Sequence, residues 1–312
     1  MLKERILQTL HFFDLQEFPL TLQELYNFLL ADLELIRPFM DTEMNLSGEF
    51  TATKGVENFS LWAVYACLNG ELVGRVEEQH GFYCLPGRGE LIPRRLENYQ
   101  YGLKREKLIK RYVGALRHLP FVRGAALGGS QALGPSRENS DIDLFIITDE
   151  KFLALARTII TIYFQAIGRR RHGKKIANRF CLNHYVSRPK ELKILRNLYS
   201  AMEYLRLRPL VYARAVGDFK IANKSWLEKF FVNAEKLENF KDEPRSRLQR
   251  ILEKIFEGKF GLWLESFLKN WQVKKIQAGK FIVVEEDEFS FHPNSKQQKL
   301  LADFFGSKNI VA

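Results

Sequence analysis

One stretch constrains this chain more than any other. Over residues 121–148, FVRGAALGGSQALGPSRENSDIDLFIIT, a glycine-rich turn precedes two aspartates set one residue apart in an apolar run. The pattern predicts a strand over 122–127, then a tight turn at Gly128, Gly129 and Ser130 that opens a helix through Gln131, Ala132 and Leu133. A polar break over 134–140 follows, and then a second strand over 141–147, bounded by turn formers and rich in β-branched residues. Side chains at i and i+2 of a strand share a face. Asp141 and Asp143 therefore project together, about 7 Å apart along the strand, with Ile142 and Leu144 turned to the core. Two carboxylates that close repel each other unless a cation lies between them or one takes a proton. Mg²⁺ binds through one or two carboxylates plus substrate phosphates, and the turn offers amides and a hydroxyl where such phosphates would lie. The parts suit phosphoryl or nucleotidyl transfer, in which a protein mainly positions groups and neutralises charge. The plainer alternative, an ordinary turn and a solvated strand end, accounts for either half alone. The combination favours the metal site, because charges inside apolar runs are rarely left unpaired.

Composition sets the rest of the frame. The chain's 312 residues allow two or three domains, and 46% hydrophobic content makes it globular. Lys plus Arg number 48 against 37 acids, a formal charge of +11, which draws polyanions such as nucleotides, nucleic acid or an acidic acceptor. Cys67, Cys84 and Cys181 are widely spaced and odd in number, so neither a disulfide framework nor a zinc site is expected, and a reducing cytoplasm fits. The N-terminal residues lack the apolar core and cleavage site of a signal peptide. The most membrane-like run, 152–168, contains Arg157 and is too short to span comfortably. It reads as a buried helix, and no membrane partner is expected.

Along the chain, residues 1–30 carry two helical patterns split by a turn at Glu17, Phe18 and Pro19, the second opened by a Thr21/Glu24 capping box. A polar loop is expected over 41–58, and a helix resumes near Ser60. Strands over 72–77 and 82–85, joined by a turn at 79–81, then form a hairpin. Three helices and a hairpin describe a winged-helix-like module. It would contact DNA or RNA through helix 60–69 and a wing with Arg75, Arg88, Arg94 and Arg95, or serve as a packing module, since that helix has no basic residue. Residues 90–118 form a basic helix, read as a solvated face or the wall of a polyanion groove. After the apolar helix 152–167 comes a basic cluster that includes Arg169, Arg170, Arg171, Lys174 and Lys175, in which Arg170 and Lys174 are candidate nucleotide contacts. Next come a third strand over 180–186, helices over 191–215 and 224–240, and a long amphipathic helix over 244–270 interrupted near Gly258 and Gly261. An apolar run over 281–284 and a helix after Pro293 complete the chain.

Gly128-Gly129-Ser130 followed by Asp141-Ile142-Asp143 resembles the signature of the polymerase-β-like nucleotidyltransferase superfamily, over roughly residues 105–190. With Phe-Pro-Leu-Thr near the N-terminus, Gly-Phe-Tyr-Cys-Leu-Pro-Gly-Arg and Cys-Leu-Asn-His, the whole is similar to bacterial proteins that join a winged-helix-like module to such a domain. The resemblance implies an α/β (α+β) nucleotidyltransferase core with a short mixed sheet at 91–190, between a winged-helix-like module at 1–90 and a mostly helical region at 191–312. It implies that Gly129 and Ser130, with Gly128 completing the turn, hold a nucleoside triphosphate, and that Asp141 and Asp143 bind Mg²⁺ or Mn²⁺. The family carries a third carboxylate on a later strand. Here that strand is 180–186, which contains Asn183 and His184 but no acid. Asn183 can ligate a metal through its amide oxygen, His184 can take a proton at neutral pH or be structural, and Glu191 or Glu203 remain as alternative sources of the acid. The expected activity is transfer of an NMP from an NTP to an acceptor hydroxyl with release of pyrophosphate. The alternative is a nucleic-acid-binding or nucleotide-sensing regulator.

Overall fold

Apolar residues three and four apart make the first helix, α1 (Leu2–Asp14), and bury Ile6, Leu10 and Phe13. In the computed structural model, which describes residues 2–32, 59–187, 191–192, 196–233, 240–277, 283–284, 288–290 and 294–306, α1 leads into β1 (Leu20–Thr21) and α2 (Leu22–Asn27). The Thr21/Glu24 capping box is formed in both directions. The polar segment expected as a loop at 41–58 lies outside the described residues. Then come α3 (Leu61–Asn69), capped by Ser60, and the hairpin β2 (Glu77–Gln79) and β3 (Phe82–Cys84). The three short strands form an antiparallel sheet in the order β1-β3-β2. The strand expected over 72–77 begins only at Glu77, because Gly74 turns the chain at φ 79°.

The basic helix is α4 (Leu91–Tyr112). It is not simply a solvated face: Arg95 and Arg105 are buried. Arg95 bonds the Pro19 carbonyl and Glu24 and lies 4.0 Å from the Phe18 ring centroid, so it ties α4 to the N-terminal module.

A six-stranded mixed sheet follows, in the order β7-β4-β5-β6-β9-β8. Its strands are β4 (Val122–Leu127), β5 (Ile142–Thr148), β6 (Phe180–Ser187), β7 (Arg208–Val211), β8 (Val283–Val284) and β9 (Glu288–Ser290). Among the described strands only β5 and β6 run parallel, joined by α5 (Leu153–Ala166). The expected helix over 191–215 is instead α6 (Leu198–Leu205), the strand β7, and the start of α7 (Ala213–Ala222). Pro209 in β7 is tolerated because β7 is an edge strand. The helix α8 (Lys224–Leu227) is much shorter than the expected 224–240, whose residues 234–239 lie outside the described residues.

The two faces of the sheet are covered differently. Phe145, Ile147 and Val186 join one core with α1, α2, α3, α6, α7 and the last helix, α11 (Asn294–Gly306). Ile142, Leu144 and Ile146 face a second core with α4 and α5. Beyond α5 lie α9 (Arg247–Phe256) and α10 (Lys259–Gln277), separated by Gly258 at φ 135°. The long helix expected over 244–270 is thus two helices. No helix among the described residues is long and apolar enough to cross a membrane.

Candidate active site

The site begins where β4 ends. The Gly128 amide donates to the Asp143 carbonyl at 3.0 Å, which draws the turn against the start of β5. Gly129 stands at φ 62°, a conformation that favours glycine, and a Cβ there would collide with Asp143 Oδ2. In place of a regular helix, Ser130–Leu133 forms one 3₁₀ turn. Gln131, buried, anchors it by donating to the Gly102 carbonyl at 3.2 Å. Gly102 in α4 is required for that approach, since a Cβ would strike the Gly134 carbonyl.

The polar break 134–140 is held from α4. Arg105 donates to the carbonyls of Glu138 at 2.6 Å and Ser140 at 2.9 Å. Asn178 donates its amide to the Ser140 carbonyl and Ile142 to that of Arg179, so both sides of the approach to β5 are fixed. Asp141 and Asp143, half-buried, then emerge on the same side as Phe145, and Cys181 lies opposite Asp143 in the β5–β6 register. Carboxylate oxygens of both aspartates and the Cys181 sulfur lie within 4.8 Å of one another. Arg171 Nη1 donates to Asp141 Oδ2 at 2.6 Å and to Cys181 Sγ at 3.4 Å.

Electrostatics follow from this crowding. Burial, and then the charge of Asp141, push Asp143 up to about 6. The Cys181 thiol is pushed well above its usual range by burial and by both aspartates. The site thus holds surplus negative charge, relieved in part by Arg171. A divalent cation fits that donor set: two carboxylates already converge, and the glycine at 129 keeps the space beside Asp143 Oδ2 that a Cβ would fill.

Residues 109–203 match the family model described as "Nucleotidyltransferase domain". Over that stretch the chain is similar to nucleotidyltransferase domains. No curated protein and no solved structure matches the chain significantly.

Within the matched stretch the expected residues separate into those at the aspartates and those away from them. Gly128, Gly129, the exposed Ser130, Asp141 and Asp143 come together. Lys174 is exposed in the turn between His172 and Lys175. Arg170 acts electrostatically on Arg157 and Tyr185, on the α5 side of the sheet. Asn183 is in β6, but its side chain lies outside the described residues. His184 packs edge-on against Phe145 and Tyr204, with ring centroids 4.8 and 5.6 Å away. Glu203 pairs with Arg206, and Glu191 with Arg196 at 3.1 Å. Among the described residues the third member of the cluster is therefore a thiol and not a carboxylate.

Sequence reasoning missed Cys181, Arg105 and Gly102 as parts of the site; Arg171 was expected within the basic cluster 169–175, set to neutralise the triphosphate or hold an acidic acceptor, and its pairing with Asp141 was not foreseen. Cys181 was legible only as an apolar strand residue, since its meeting with Asp143 depends on the β5–β6 register. Behind the turn a cleft of about 250 Å³ is lined by Ala132, Leu133, Arg206, Arg208 and Lys220, with Phe28 just past the end of α2. Its cations come from β7 and the helices beside it, far along the chain from the glycine turn.

Proposed function

We propose that the domain is a Mg²⁺- or Mn²⁺-dependent nucleotidyltransferase that moves an NMP from an NTP to an acceptor hydroxyl, releasing pyrophosphate. The observation that carries this reading is the convergence of Asp141, Asp143 and Cys181 within 4.8 Å beside the glycine turn. Asp141 and Asp143 are the metal-holding groups, with Asn183 as a further oxygen donor, while the neutral Cys181 thiol is no ligand for so hard a cation. A bound divalent ion supplies charge neutralisation for the phosphates and activation of the acceptor oxygen. Gly128, Gly129 and Ser130 present backbone and hydroxyl groups to the triphosphate. Arg171, now paired with Asp141, is close enough to turn toward a phosphate, while Arg170 and Lys174 add to the positive field that gathers the nucleotide. The cleft lined by Arg206, Arg208 and Lys220 is the proposed seat of the remainder of the NTP or of the acceptor.

Incubation with each labelled NTP, Mg²⁺ or Mn²⁺ and cell extract tests this reading. Label should pass to an acceptor with wild type and not with Asp141→Ala or Asp143→Ala, whereas full transfer by the double variant would sink the assignment.

One observation favours a second reading. The thiol held neutral where the cluster lacks its third acid is a poor proton acceptor, so the domain would bind nucleotide without turnover and act as a sensor. Saturable NTP binding with no pyrophosphate release under any metal would select it. We also read the N-terminal order among the described residues, helix-strand-helix-helix-strand-strand, as winged-helix-like. Arg88 pairs with Asp14 and Arg95 is buried against Glu24, so these two wing arginines serve internal packing and support a structural over a nucleic-acid role.

A further inference from the structure

The helix α9 is turned largely inside out, and α10 shares the feature in part, since it buries Glu265 and Gln272 beside the inward-packed Leu264, Leu268 and Val273. A surface helix ordinarily buries its apolar stripe and exposes its polar one. In α9 the buried residues are Gln249 (0% exposed) and Glu253 (2%), while Ile251 and Ile255 are 59% and 61% exposed. The buried polar groups are fully engaged. Gln249 donates to the Leu119 and Val122 carbonyls at 2.9 and 2.8 Å and accepts from the Tyr212 hydroxyl at 2.7 Å. Glu253 accepts from the Phe121 amide at 2.8 Å and from Arg123 and Arg245 at 2.6 and 2.7 Å. In α10, Glu265 accepts from the amides of Ala154 and Leu155, capping the start of α5, and Gln272 bonds Arg157, Thr158 and the Ala154 carbonyl. The orientation is therefore specified by these polar contacts together with the inward packing of Phe256, Leu264, Leu268 and Val273, and the apolar residues left outside are a built feature.

That outward face carries Phe260, Trp263 and Phe267 as a run of stacked rings, with Trp271 further along the same helix and Leu248 on α9. Exposed Arg247, Arg250, Lys254, Lys259 and Lys274 accompany it on these helices, and the exposed acid among the described residues of α9, α10 and their junction is Glu257. Exposed aromatic and aliphatic side chains in this density mark an interaction surface. We propose that α9 and α10 form an in-plane docking surface for an anionic lipid bilayer.

Three observations favour that occupant. Trp and Phe beside Lys and Arg match the chemistry of the bilayer interface, where aromatic rings lie at the headgroup level and basic residues meet anionic lipid. A second copy of the chain would bring two basic sets together with little acid to answer them, on a protein whose net charge is already +11. Nucleic acid would use the aromatic rings but gains nothing from Leu248, Ile251 and Ile255. The surface docks on the membrane and does not cross it. Its helices lie on the α5 side of the sheet, so docking leaves the Asp141–Asp143 side open.

The test is sedimentation of the full-length protein with vesicles of phosphatidylglycerol and, separately, of phosphatidylcholine alone. Binding to the anionic vesicles should be more than about tenfold tighter, weaken with salt, and move the emission of Trp263 and Trp271 to the blue. Two variants sharpen it: Phe260→Ser/Trp263→Ser/Phe267→Ser, and Arg250→Glu/Lys254→Glu/Lys259→Glu. Each should lose more than about tenfold in vesicle affinity while keeping the wild-type melting curve. If the aromatic variant fails to fold, the charge-reversal variant decides alone. Equal binding to both vesicle types, no binding to either, or a wild-type dimer that the aromatic variant converts to monomer would overturn the proposal.

Discussion

The N-terminal module and the C-terminal pair α9–α10 lie against opposite faces of one sheet and follow opposite rules. In α1 the apolar stripe goes inward, and Phe12, Phe13 and Leu10 share a core with Phe145 and Ile147 of the site strand. In α9 the polar stripe goes inward, and Glu253 and Gln249 hold the backbone at 119–122, the entry to β4. The periodicity of α9 is as clean as that of α1, so pattern alone identifies an amphipathic helix without saying which side is inside. What decides it in α9 is the set of unpaired backbone groups and arginines near β4 that only a polar face can satisfy.

That contrast can be broken or sharpened by substitution. The largest effect belongs to the site-bearing face. Asp141→Ala or Asp143→Ala should lower labelled-nucleotide transfer by about 10³-fold or more, because the charge at the transferring phosphate loses its partner, while leaving the melting curve of the metal-free protein at or above wild type. On the opposite face, Glu253→Ala should destabilise by about 2–3 kcal/mol in urea titration, since it leaves the buried Phe121 amide without its acceptor and takes from Arg123 one of its two carboxylates, Asp149 remaining. A small effect there would mean that the inward polar stripe does not fix α9.

Asp143→Asn should stabilise the metal-free protein by about 2 kcal/mol at pH 8. The sign follows from the raised folded pKa, about 6 against an ordinary 3.8. The protonated carboxyl is the favoured native form, so its stability is fully present below the unfolded value and is lost as pH rises through the folded one. The gain from the amide should therefore shrink toward pH 4, as melting curves at the two pH values would register. The smallest effect is expected at Ile255→Ser on the outward stripe, within about 0.5 kcal/mol of wild type in the free protein. A loss of several kcal/mol would show that the face is already covered by the protein itself.

Much of the site was legible in the chain because it is local. The turn, the strand and the two aspartates fall within 28 residues, and their spacing sets their face. What was not legible depends on distant partners. Cys181 reaches Asp143 only through a parallel register that shifts between Asp143 and Phe145. Arg105 looks like one more charge on a basic helix until the carbonyls of Glu138 and Ser140 meet it. β7 was hidden by Pro209, which reads against a strand unless the strand is known to lie at an edge. Gly258 was visible as an interruption, yet the inversion of α9 before it was not, because burial of Gln249 and Glu253 is a property of what they face.

The central claim is that Asp141 and Asp143 form a metal-nucleotide site, and Mn²⁺ binding followed by electron paramagnetic resonance tests it without knowledge of the acceptor. Free Mn²⁺ signal should fall saturably on addition of wild-type protein with NTP, and the Asp141→Asn/Asp143→Asn protein, folded by circular dichroism, should leave it at the level of Mn²⁺ and NTP alone. Unchanged Mn²⁺ uptake by that double variant would contradict the account.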